Sequence, residues 1–95
     1  MAFVRMFDNP NVTQEQYDAA SQQVGVTPDN MPEGAVLHVA GPSPDGGWRV
    51  VEIWESEEAA STFDAERVEP VLQQVGIQRP APTTWQVHNL VVRGG

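Results

Sequence analysis

Four stretches of this 95-residue chain alternate like strands, and in each of them both alternating faces carry apolar side chains. In the first, Phe3 and Phe7 oppose Val4 and Met6; in the second, Leu37 and Val39 oppose Val36. In the third, Trp48, Val50 and Trp54 oppose Val51 and Ile53, and in the last Trp85 and Val87 oppose Leu90 and Val92. A sheet built from such strands has two faces that water does not suit. The chain offers only two helical patterns with which to cover them.

The first strand, residues 2–7, is "AFVRMF", with Arg5 its only charge, and "DNPN" then turns the chain. "VTQEQY" carries a helix-start signature: Thr13 as N-cap, Gln16 completing a capping box, and Val12 placed to pack against Tyr17. Tyr17, Ala20, Ser21 and Val24 recur at helical spacing up to Gly25, which predicts a helix over residues 14–24. After the Pro-rich connector "TPDNMPEG", "AVLHVA" forms a second strand and "GPSPDGG" a hairpin loop into the third, "WRVVEIWES". Ser56 caps a second helix whose Glu57 and Glu58 suit the positive end of the helix dipole, with Ala59, Ala60 and Phe63 facing inward. Pro70 has no N–H for the helix ladder, so a break is expected near Glu69, with a further turn or two to Gly76. Residues 83–92, "TTWQVHNLVV", are expected as the last strand.

The order strand, helix, strand, strand, helix, strand is that of a ferredoxin-like α+β fold with a four-stranded antiparallel sheet. Right-handed crossovers put both helices on one face, and the other face then needs a cover. A second copy packed sheet to sheet about a two-fold axis supplies it most economically. Ninety-five residues suit one domain, 1–95, with one core.

Composition removes several functions. The net charge is -8 and all five basic residues are Arg, so a phosphate backbone or an anionic membrane would be repelled. Absent Lys excludes Schiff-base chemistry, and absent Cys excludes thiol nucleophiles, disulfides and thiolate metal sites. Neither a secretory pattern at "MAFVRMFDNP" nor an apolar run near the roughly 20 residues that span a bilayer is present, and a cytoplasmic location is expected.

The third strand "VVEIWES", the helix opening "SEEAASTF" and the later "VEPVLQQVGI" resemble the dimeric α+β barrel proteins, in particular the antibiotic-biosynthesis-monooxygenase-like group. Members show an aromatic strand end, a capped helix and a Pro-then-Gly pattern at these places, and the likeness runs through nearly the whole element order. The resemblance implies a homodimer, and an activity among cofactor-free oxygenation of polycyclic phenols, isomerisation, dehydration and cyclisation. Many members carry a His nine positions after the aromatic of the third strand. Here that position is Phe63, which is expected to line a substrate site rather than transfer a proton.

Period-two alternation sets Glu52 among Trp48, Val50 and Trp54. Without a partner its carboxyl would be raised toward neutrality and could act as acid or base; with Arg5 beside it on the neighbouring strand it would be a structural ion pair. His38 and His88 lie within the second and last strands, each able to shuttle a proton, although a lone His is more often a hydrogen-bonded core or interface residue. Ligand spacing for a metal is missing, so none is expected. Trp54 could wall a cavity for a flat ligand or fill the core, and Tyr17 could reach such a ligand from the first helix. The leading expectation is a homodimer binding a small hydrophobic or aromatic molecule, with no cofactor. In it His38 and Glu52 move protons, and Trp54, Tyr17, His88 and Phe63 bind substrate. The competing expectation is a non-catalytic ligand-binding or accessory dimer, and a stress-associated structural protein is a third.

Overall fold

The computed structural model describes residues 2–93. Its elements run β1 (Phe3–Asn9), α1 (Gln14–Val24), β2 (Ala35–Pro42), β3 (Trp48–Trp54), α2 (Glu57–Phe63), a π-helical turn (Asp64–Val68), α3 (Glu69–Val75) and β4 (Thr83–Gln86). The strands form one antiparallel sheet in the order β2-β3-β1-β4. This is the ferredoxin-like α+β arrangement expected from the element order.

Local chemistry accounts for the helix ends. Thr13 and Gln16 close a capping box, and Gly25 ends α1 in the left-handed region at φ 77°. Ser56 accepts from the Ala59 N–H to start α2, and Gly76 ends α3 at φ 76°. The break expected at Glu69 takes another form. The helix stays continuous through a π turn, in which the Glu69 N–H bonds the Asp64 carbonyl five residues back, and Pro70 follows where a missing N–H costs little.

Two strand lengths differ from the sequence reading. β1 runs on to Asn9, because its whole length pairs with β3 from Phe3↔Trp54 to Asn9↔Trp48. β4 stops at Gln86, four residues long rather than ten, since only Thr83–Gln86 find partners on β1. Val87 still bonds the Ala2 carbonyl, and beyond it the apolar run is exposed, Val91 to 86%.

Phe3, Trp54, Ala60, Phe63 and Val68 form the core between sheet and helices. Arg67 of the π turn donates to the Val24 carbonyl and so ties the end of α1 to the second helical element. In the β2–β3 hairpin, Gly47 sits at φ 83° with its α-carbon so close to Asn9 and Pro10 that a Cβ would come within 2.3 Å of the Asn9 carbonyl oxygen. That contact seats the loop against the end of β1. Among the described residues no helix lies over the opposite sheet face. There Val39 is 54% and Trp85 48% exposed.

Candidate functional site

The strand register sets three polar groups in one row. Arg5 of β1 pairs with Glu52 of β3, and Glu52 pairs with His38 of β2. Paired residues share a face, so all three lie under the helices. A bulge at Ala35–Leu37 sets this phase: two residues of β2 oppose Trp54, after which Leu37 turns to the open face and His38 to the helix face.

Glu52 is 5% exposed and its two oxygens have separate surroundings. Oε1 accepts from Arg5 Nε at 3.0 Å, Arg5 Nη2 at 2.6 Å and Trp54 Nε1 at 2.9 Å. Oε2 faces His38 Nδ1 at 3.6 Å, just beyond direct hydrogen-bond length. The other edge of the Arg5 guanidinium goes to Asp64, at 2.6 and 3.1 Å, and Arg79 approaches the same carboxylate at 3.3 Å. Burial by itself would raise the Glu52 carboxyl. His38, the Arg5 charge and the Trp54 N–H outweigh it and hold the group at about 2. Glu52 is therefore an anion at every physiological pH, and the raised carboxyl of an unpartnered glutamate does not arise here.

His38 continues the chain outward. Its Nε2 lies 2.8 Å from the Tyr17 hydroxyl, and the two rings stack with 17° between their planes. Burial pushes the Tyr17 hydroxyl above its ordinary value, so it stays protonated and can donate to the imidazole. The run Tyr17–His38–Glu52 is the order in which a carboxylate steadies an imidazole that exchanges a proton with a hydroxyl.

A cavity of about 130 Å³ opens between the sheet and α1 and α3 beside this chain. Its polar rim includes Tyr17, His38 and Glu52, and its walls are apolar, Phe7, Val50 and Phe63 among them. The volume is close to that of a cavity, about 150 Å³, that holds one benzene ring. Among the described residues no group of His, Cys, Asp and Glu could hold a metal ion, and no helix is long and apolar enough to cross a membrane.

Of the residues expected at a site, Tyr17, His38, Glu52 and Phe63 are brought together on this cavity. Trp54 is 2% exposed behind Glu52, packed on Phe63 with ring centres 5.4 Å apart; it holds the carboxylate and does not line the space. His88 is exposed beyond β4 and does not line the cavity. Two groups escaped the sequence reading. Asp64 continues the inward stripe of Ala60 at helical spacing, Asn9 continues that of Phe3, Arg5 and Phe7, and both signals were there to be followed. Trp48 joins Asn9 across the strand pair, on the cavity wall.

Sheet, overlying helices and interlayer cavity define a ferredoxin-like α+β protein with room for a small ligand. The structure is similar to Rv0793 from Mycobacterium tuberculosis, with a TM-score of 0.63 at 21% identity over 96% of this chain and 97% of that one. It is similar to SnoaB from Streptomyces nogalater, a cofactor-independent oxygenase, with a TM-score of 0.59 at 12% identity over 95% and 94% of the two chains. A protein from Deinococcus radiodurans assigned to the antibiotic biosynthesis monooxygenases aligns over 100% of both chains with a TM-score of 0.60 at 13% identity. At these identities the likeness is one of fold. No protein-family model matches the chain, and no curated protein matches it.

Proposed function

We propose that the chain is a single-domain subunit of a cytoplasmic homodimer that binds a small, flat, largely apolar molecule in the interlayer cavity and moves a proton on it without a cofactor. The reaction class is deprotonation of a weakly acidic O–H or C–H, the step that opens an isomerisation, a cyclisation or an oxygenation. His38 is the base. Glu52 is its fixed anionic backing rather than a second proton carrier, and Tyr17 is the relay: its hydroxyl proton passes to His38 Nε2 as the ligand's proton passes to the Tyr17 oxygen. Phe63 and Val50 hold the ring of the ligand.

The observation that carries this reading is the 2.8 Å contact of Tyr17 with an imidazole backed by a buried, ionised Glu52 at the rim of an apolar cavity. A base working near neutral pH needs such a partner, because a nearby anion favours the imidazolium that forms. SnoaB gives the reading a precedent on this fold, as a cofactor-independent oxygenase. The dimer is supported by the sheet face away from the helices, where Val39 and Trp85 are exposed beside the buried Val4 and Ile53.

The test is proton exchange. Incubated in D₂O with single-ring phenols and 1,3-diketones, the protein exchanges a ligand C–H at a rate that falls about 10²- to 10⁴-fold in His38→Asn, the usual contribution of a positioned base. The accessory-dimer reading has its own support, because three donors already satisfy one oxygen of Glu52. Ligand binding with equal exchange in the wild type and His38→Asn would favour it and remove the catalytic reading.

A further inference from the structure

Two residues that line the cavity, Asn9 and Trp48, each keep one buried polar side-chain atom left over from the packing. Among the described residues neither Asn9 Oδ1 nor Trp48 Nε1 has a hydrogen-bond partner, although Asn9 is 7% and Trp48 9% exposed. Leaving such groups unpaired is costly, so a pair of them on residues lining one cavity points to something that satisfies them there. Their identity is settled by the geometry around them. Asn9 Nδ2 donates to the Trp48 carbonyl at 3.1 Å, which only the NH₂ end of the amide can do, so the atom left over is the acceptor Oδ1. The indole N–H can only donate. The two residues face each other across β1 and β3, at the opposite end of the strands from Phe3 and Trp54, and the Tyr17 ring lies 5.3 Å from the Trp48 ring.

We propose that Asn9 and Trp48 form a recognition subsite for a neutral group that both accepts and donates a hydrogen bond, a hydroxyl or a lactam amide, carried on a ligand of about one ring. The ligand oxygen takes the Trp48 N–H, and its O–H or N–H goes to Asn9 Oδ1. A carboxylate is excluded because it would set a second acceptor, with charge, against Oδ1. A hydrocarbon or an ether leaves both or one of the two atoms unpaired. This inference rests on the cavity being the ligand site, and it adds the class of ligand and the residues that select it.

Phenol, 2-pyridone, anisole, toluene and benzoate fit the volume alike and differ in what they offer the two atoms. Titrated into ¹⁵N-labelled protein, phenol and 2-pyridone are expected to bind about tenfold or more tightly than toluene, with anisole between them and benzoate weakest. The indole N–H resonance of Trp48, identified by its loss in Trp48→Phe, moves downfield with phenol and 2-pyridone, while those of Trp54 and Trp85 hold still. Toluene binding as tightly as phenol would overturn the subsite and leave the cavity as ligand site. Anisole equal to phenol would remove Asn9 from it. If none of the five binds, the cavity reading and the subsite fall together. The ligand comparison in the wild-type protein decides the matter even if Trp48→Phe does not fold.

Discussion

Glu52 shows how little a buried charge can be judged apart from its neighbours. Its carboxyl, held at about 2 against an ordinary 4.5, contributes stability that is fully present above pH 4.5 and is lost as pH falls toward 2. The contribution is on the order of 3 kcal/mol. Urea midpoints measured from pH 6 to 2 should therefore drop across that window, and the drop should flatten in Glu52→Gln. At pH 7 the same variant should lose about 3 kcal/mol, because Arg5 stays buried with Asp64 as its one close counter-charge. Tyr17→Phe keeps the ring against Trp48 and removes the hydroxyl at His38, so stability should fall by about 1 kcal/mol or less while D₂O exchange slows. That Arg5 and Glu52 are each the lone charge on its face of an adjacent strand was legible, but that they pair was not. Asp64 was legible as an inward position four residues after Ala60, but that its carboxylate reaches Arg5 depends on how the helix packs on the sheet.

The helix starts and stops were written in the chain because they depend on groups within a few residues of one another. Thr13 with Gln16, Ser56 with Ala59, and the glycines at 25 and 76 each act inside one turn. Thr13→Ala should accordingly cost about 1 kcal/mol in urea unfolding, with ligand titration curves unchanged because Thr13 does not line the cavity. The elements misread are those whose extent depends on a distant partner. Val87, Leu90 and Val92 have the composition of a strand, yet β1 offers registered partners only to Thr83–Gln86. β1 itself continues past Phe7 through Asp8 and Asn9, residues that read as a turn until β3 is set beside them. The hairpin bulge at Ala35–Leu37 also belongs to the pairing. It is what turns His38 toward Glu52 rather than away from it.

For the molecule as a whole, the feature with most consequence is the sheet face that no helix among the described residues covers, with Val39 and Trp85 half exposed on it. On the proposed two-fold dimer that face is the seam. Val39→Glu adds a charge to each half of it in a chain already at -8, and native mass spectrometry should find the wild type as a dimer and this variant as a monomer. A wild-type monomer at high concentration would remove the dimer and leave the cavity chemistry to be judged alone. The apolar two-sidedness of the strands, the order of elements and the caps are properties of neighbouring residues, and the sequence by itself determined them. Which charge meets which, where β4 ends, how the helix passes Pro70, and that Asn9 and Trp48 reach the cavity with an acceptor and a donor to spare were decided only by tertiary structure. Those outcomes depend on register and close packing between segments far apart in the chain, and a shift of one residue in either would exchange one face for the other.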